Sequence, residues 1–197
     1  MNKDILICGI GGQGTVLASK VIAASAMDEG NTVHSAETIG MAQRGGSVTS
    51  HVRIGENAFS PLIPFGSADM LFAFEPSEAV RNLKYLKANG TAIVNIAPTK
   101  PVTENLSGGN YDAAVMTDYL KAKCDCVFVN SDEVCAPFGS VKFFNIILLG
   151  VAVGSGKLGL SRETVLKQIR RSVPEKSVEV NERAFETGFA LGAADRA

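Results

Sequence analysis

Apolar runs of strand length recur along the chain at Ile5 to Cys8, Thr32 to Ala36, Ser47 to Ile54, Met70 to Phe74, Thr91 to Asn95 and Cys126 to Val129. Helix-length segments separate several of them: Thr15 to Glu29, Ser77 to Lys87, Tyr111 to Lys123, Val141 to Val153, Arg162 to Ser172 and Asn181 to Ala194. This alternation predicts a single-domain, Rossmann-like α/β fold, in which a largely parallel sheet carries helices on both faces. Gly30 and Gly90 stand where helices should end, and Ser161 where a side-chain oxygen should cap one. The stretch FFNIILLGVAVG is apolar nearly all round, which puts it at the centre of the core or against another subunit. Two stretches break the pattern, Glu37 to Gly46 and Ala97 to Asn110; the second reads as a surface loop.

A chain of 197 residues fits within one core, so residues 1–197 are expected to form one domain. No run approaches the roughly 20 apolar residues that a membrane span needs. No secretory segment precedes the first strand, and the expected location is the cytoplasm. The formal net charge of -1 argues against a broad basic surface for nucleic acid, yet it permits a local anion pocket. In that compartment Cys8, Cys124, Cys126 and Cys135 are expected to be reduced.

The first strand runs into GIGGQGTVLASK, residues 9 to 20. Gly9, Gly11 and Gly14 have dinucleotide-loop spacing, where glycine permits a tight turn and a close backbone approach. Amides at the start of the following helix would offer donors and partial positive charge to an anion. A nicotinamide site also needs an acid at the end of the second strand, and Glu37 is the candidate. Alternatively, the glycines only shape a close strand-to-helix turn. Lys20 reads most simply as a solvated charge.

The second glycine loop lies in MAQRGGSVTSHVRIG, residues 41 to 55. Arg44 precedes the Gly45-Gly46 pair, and a guanidinium fork suits phosphate or carboxylate oxygens. Strict alternation follows, with Ser47, Thr49, His51 and Arg53 on one face of a strand. In a doubly wound sheet this loop emerges beside the first, and Arg44 would complete the anion site. His51 reads as structural rather than as a base. No nucleophile elbow, Walker sequence, zinc spacing, iron–sulfur run or paired-carboxylate motif occurs, so neither a catalytic residue nor a metal-ligand set is expected.

These pieces, with SPLIP, ADMLFAFEPSEAVRNLKYL, GTAIVN, KFFNIILLGVAVG and NERAFETGF, resemble the γ-type subunits and domains of 2-oxoacid:ferredoxin oxidoreductases. The likeness is strongest to the indolepyruvate type and weakens between Pro98 and Ser140. Where the family usually has His-Gly before the methionine, this chain has Ile39-Gly40. The resemblance implies a cytoplasmic subunit that is not catalytic alone. It would cover the active site of a large partner carrying thiamine diphosphate and iron–sulfur clusters, with ferredoxin as acceptor. Its own share would be to help hold coenzyme A through Gly9, Gly11, Gly12, Gln13, Gly14 and Thr15 from the first loop and Gln43, Arg44, Gly45 and Gly46 from the second. A homodimer contact is a further expectation; nucleic acid and membrane are not expected as partners. Two alternatives stay open: a free-standing nicotinamide-binding dehydrogenase or sensor, and a pure scaffold.

Overall fold

The computed structural model describes residues 1–39, 45–99 and 111–195. Six strands, β1 (Lys3–Ile10), β2 (Val33–Ile39), β3 (Ser47–Ile54), β4 (Ala68–Ala73), β5 (Leu86–Asn95) and β6 (Asp125–Val129), form one sheet in the order β2-β3-β1-β4-β5-β6. β1, β4, β5 and β6 pair in parallel, whereas β3 runs antiparallel between β1 and β2. The link from β2 to β3 is too short for a parallel connection, which takes a dozen or more residues, so these strands form a hairpin. β2 consequently runs in the same direction as β1. Gly9 lies opposite Val48, which lies opposite Ile39. The carboxyl ends of β1 and β2 thus share one edge of the sheet.

Successive side chains of a strand point to opposite faces, and the core divides accordingly. Ile5 and Ile7 of β1, with Met70, Phe72 and Ile93, meet α1 (Thr15–Asp28), α5 (Phe144–Gly154), α6 (Arg162–Ser172) and α7 (Val178–Ala194). Leu6 and Cys8, with Leu71, Ala92 and Val94, face the side of α2 (Pro76–Asn82) and α3 (Ala113–Lys123). A short helix that the sequence reading did not anticipate, α4 (Ser131–Cys135), follows β6.

Every residue of α5 is buried, which places the apolar stretch in the core of this chain. Its cover is α7, and glycine makes the contact. A Cβ on Gly150 would fall 2.2 Å from the Phe185 carbonyl oxygen, and one on Gly188 would fall 1.9 Å from that of Ile147. Gly154 and Gly192 repeat the relation one turn later, at 2.1 Å from the carbonyl oxygens of Phe189 and Val151. The helices touch along their backbones.

Ser161 caps α6 as expected, its side chain accepting from the Thr164 amide. Gly90 corrects the sequence reading. It lies inside β5, because α2 ends at Asn82, a 3-10 turn covers Leu83–Tyr85, and the chain is extended from Leu86. A Cβ there would meet Leu86 Cδ1 at 2.6 Å, so the glycine serves an irregular strand entry where the β4–β5 register shifts. Among the described residues no single helix is long and apolar enough to cross a membrane.

Candidate anion cradle at the carboxyl edge

The apolar run of β1 ends at Ile10, and four residues turn the chain into α1. Gly12 and Gly14 take φ of 103° and 85°, left-handed values that a side chain would strain. Gly14 is also the N-cap of α1 and lacks a side-chain cap, leaving the first-turn amides to the space in front of the helix. A Cβ on Gly14 would lie 2.4 Å from Asn145 Nδ2, so α5 presses on the turn from behind. On Gly12 a Cβ would meet nothing within 4 Å, since this residue faces the opening.

The second loop returns beside the first. The Gly11 amide donates to the Gly46 carbonyl at 2.8 Å, and Gly45 has φ 80°. Ser47 Oγ then donates to the buried carboxylate of Glu78 at 2.6 Å, fixing the start of β3. Gln43 and Arg44 lie outside the described residues.

A cavity of about 400 Å³ opens in front of the first turn. Gly12, Gln13 and Gly14 line it together with Asn95, Thr99 and Lys142. Among the described residues, its lining separates the remaining eight predicted positions by role. Gly12 and Gly14 face the cavity, and Thr15, buried, starts the helix whose amides look into it. Gly9 packs beneath the turn, where a Cβ would meet Gln13 Oε1 at 2.7 Å and Phe74 Cβ at 2.9 Å. The Gln13 amide is committed to the fold: Oε1 accepts from the Ile10 amide at 2.7 Å, and Nε2 donates to the Phe74 carbonyl and Thr99 Oγ1. Gly11 and Gly46 join the two loops, and Gly45 supplies the left-handed turn before Gly46.

Asn95 and Lys142 escaped the sequence reading. Buried Asn95 donates from Nδ2 to the carbonyls of Phe74 and Ala97 and accepts at Oδ1 from the amides of Ala97 and Ser131. It thereby ties together the segments leaving β4, β5 and β6. The available signal was a lone amide side chain closing the apolar run GTAIVN. Lys142, on the 3-10 turn leading into α5, also lines the cavity.

The polar stripe of β3 is largely consumed by structure. Arg53 grips Asp4 through two bonds, Nε to Oδ1 at 2.9 Å and Nη2 to Oδ2 at 3.1 Å. His51 is buried and accepts at Nδ1 from the Ile63 amide at 3.1 Å; burial lowers its pKa and favours the neutral ring. Glu37 accepts from Ser19 Oγ at 3.2 Å. Burial, followed by the carboxylates of Glu78 and Glu75, pushes the Cys8 thiol well up, which removes it as a nucleophile. Cys8 and Cys135 lie on opposite faces of the sheet, so the cysteines do not converge on one cluster. Among the described residues no group of three or more His, Cys, Asp or Glu is placed to hold a metal ion.

The profile of the family described as "Pyruvate ferredoxin/flavodoxin oxidoreductase" matches residues 4–191. The chain belongs to this family. The chain is 37% identical over 191 residues to the indolepyruvate oxidoreductase subunit IorB of Archaeoglobus fulgidus, covering 96% of this chain and 94% of that one. In structure it resembles the keto/oxoacid ferredoxin oxidoreductase γ subunit of Geobacter sulfurreducens, with a TM-score of 0.72, 25% identity and coverage of 98% and 99%. It also shares the fold of part of a 2-oxoglutarate:ferredoxin oxidoreductase from Magnetococcus marinus, solved with 2-oxoglutarate, coenzyme A and succinyl-CoA bound. That match has a TM-score of 0.77 at 19% identity and covers 98% of this chain but 31% of the other.

Proposed function

We infer that this chain is the small subunit of a 2-oxoacid:ferredoxin oxidoreductase of the indolepyruvate type, with residues 1–197 forming its γ-type domain. The relatives and the neighbour from Geobacter sulfurreducens support this assignment over the free-standing nicotinamide reading. The single observation that carries the ligand reading is the bond joining the two glycine turns, from the Gly11 amide to the Gly46 carbonyl, next in sequence to Gly12 of the cavity lining.

The helix amides and Lys142 suit a phosphate-bearing ligand, while Asp132 adds one opposing charge to the lining. The α1 amides and the left-handed turn at Gly12 and Gly14 would hold one phosphate of coenzyme A. Arg44 from the second loop and Lys142 from across the cavity would neutralise others. Coenzyme A supplies the thiol that accepts the acyl group; this chain supplies orientation, charge and cover. Thiamine diphosphate and iron–sulfur clusters are assigned to a large partner subunit, which would decarboxylate the 2-oxoacid and pass electrons to ferredoxin. A covering domain also keeps water from a reactive intermediate. Phe59, 93% exposed, and the exposed Leu62 and Phe65 offer an apolar surface for such a partner.

Alone, the chain should oxidise no 2-oxoacid. Co-expressed with a thiamine-binding large subunit, it should copurify and give coenzyme A-dependent viologen reduction; a partner fully active without it would refute the assignment. In the assembled complex, Arg44→Ala should raise the half-saturating coenzyme A concentration by about 10- to 100-fold, the loss of one charge-assisted contact, and leave that for the oxoacid unchanged. An unaltered coenzyme A dependence would remove Arg44 from the site.

A further inference from the structure

We propose that Cys124 and Cys126 form a two-electron dithiol that hydrogen peroxide converts into an intramolecular disulfide, at the end of β6 remote from the anion cradle. Their sulfur atoms stand 3.4 Å apart, and both residues are half-buried at the junction of α3 and β6. Cys124 is the extended C-cap of α3 and Cys126 follows two residues later, so the side chains project to one face. Extended residues two apart have Cα atoms about 6.6 Å apart, which falls within the upper part of the range a disulfide spans.

The intervening residue points elsewhere. Asp125 accepts from Thr91 Oγ1 at 2.8 Å and pairs with Lys157, although its carboxylate still acts to raise both thiol pKa values. β6 is an edge strand, so its outer side can pucker without breaking a second ladder. With no metal-ligand group of three among the described residues, redox chemistry suits the pair better than metal capture. The Cys126 thiol also hydrogen-bonds Cys124 and lowers its pKa, which favours Cys124 as the attacking sulfur.

The reaction balances with peroxide as the oxidant. The Cys124 thiolate attacks one peroxide oxygen, the O–O bond breaks, and the other oxygen leaves with a proton as water. Cys126 sulfur then displaces hydroxide from the Cys124 sulfenic acid. The S–S bond forms, and the thiol proton leaves with that hydroxide as a second water. Two thiols are oxidised and one peroxide is reduced. A small ring strains the bond and keeps it easily reduced by a dithiol.

The test uses the reduced full chain under argon, treated with equimolar hydrogen peroxide, denatured, alkylated and mapped after trypsin digestion. Residues 124–142 form one tryptic peptide holding Cys124, Cys126 and Cys135. We expect that peptide with Cys135 alkylated and two hydrogens missing between Cys124 and Cys126, and full alkylation after dithiothreitol. Cys8 and Cys135 should react at least about ten-fold more slowly. Cys124→Ser and Cys126→Ser should each abolish the bridge. A bridge involving Cys135 or Cys8, a pair linked only between two chains, or four free thiols after treatment would overturn the proposal. The unsubstituted chain decides the outcome, so the result does not depend on the variants folding. It is also independent of the coenzyme A reading.

Discussion

Replacing Gly188 by alanine is expected to destabilise the protein by about 3 kcal/mol, because the added methyl enters backbone space of the neighbouring helix. Alanine is the better helix former by about 1 kcal/mol, so propensity alone predicts a gain. Packing must overcome that gain. The Cβ would lie 1.9 Å from the Ile147 carbonyl oxygen and 3.0 Å from the Val151 amide nitrogen, and neither can rotate away as a side chain would. The helices would have to part along a face where every α5 residue is buried. Urea unfolding followed by circular dichroism measures the loss. Leu191→Ala, on the same helix at a 45% exposed residue, is the control and should change little. A Gly188→Ala protein as stable as the parent would show that α5 and α7 do not meet backbone to backbone.

Asn95→Ala should cost about 2 to 3 kcal/mol and weaken ligand binding at the same time. One amide side chain satisfies two carbonyls and two amides at the ends of three strands. Its truncation leaves buried polar groups without partners, which is dearer than the average hydrogen bond. Water entering from the adjoining cavity limits the loss. Asn95→Asp keeps the acceptor, loses the donor and buries a charge, so it should be no better than alanine. Denaturant titration gives the stability, and isothermal titration of the assembled complex with coenzyme A gives the affinity. An alanine variant within about 0.5 kcal/mol of the parent, with affinity unchanged, would show that the three strand ends do not depend on this side chain.

Much of the fold was readable from periodicity and caps. All six strands overlap the predicted apolar runs, although β5 starts at Leu86 rather than Thr91 and β2 runs on through Glu37 to Ile39; α6 has the expected bounds because Ser161 and the apolar spacing mark it clearly. The pattern failed after Asn82: Leu83 and Leu86 fit a helical face and a strand entry alike, and only tertiary pairing with β4 decides between them. The adjacency of the two glycine turns was also legible, although the geometry reaches it through an antiparallel hairpin, which the short β2–β3 link implies. Within the site, the sequence marked the turn but could not separate residues facing the cavity from Gly9, which packs beneath it. Gln13 does both, lining the cavity while its amide bonds hold the turn, and this depends on where Phe74, Thr99 and Asn145 arrive from distant parts of the chain.

The glycine-lined pairing of α5 with α7 also orders events during synthesis. α5 leaves the ribosome before its cover, since α7 occupies residues 178–194. Until then the strands and α1 can assemble, but one greasy flank of α5 stays open to other nascent chains. A stop codon ahead of α7 would therefore yield a product bound for aggregation or chaperone capture, even though both glycine turns had already been made.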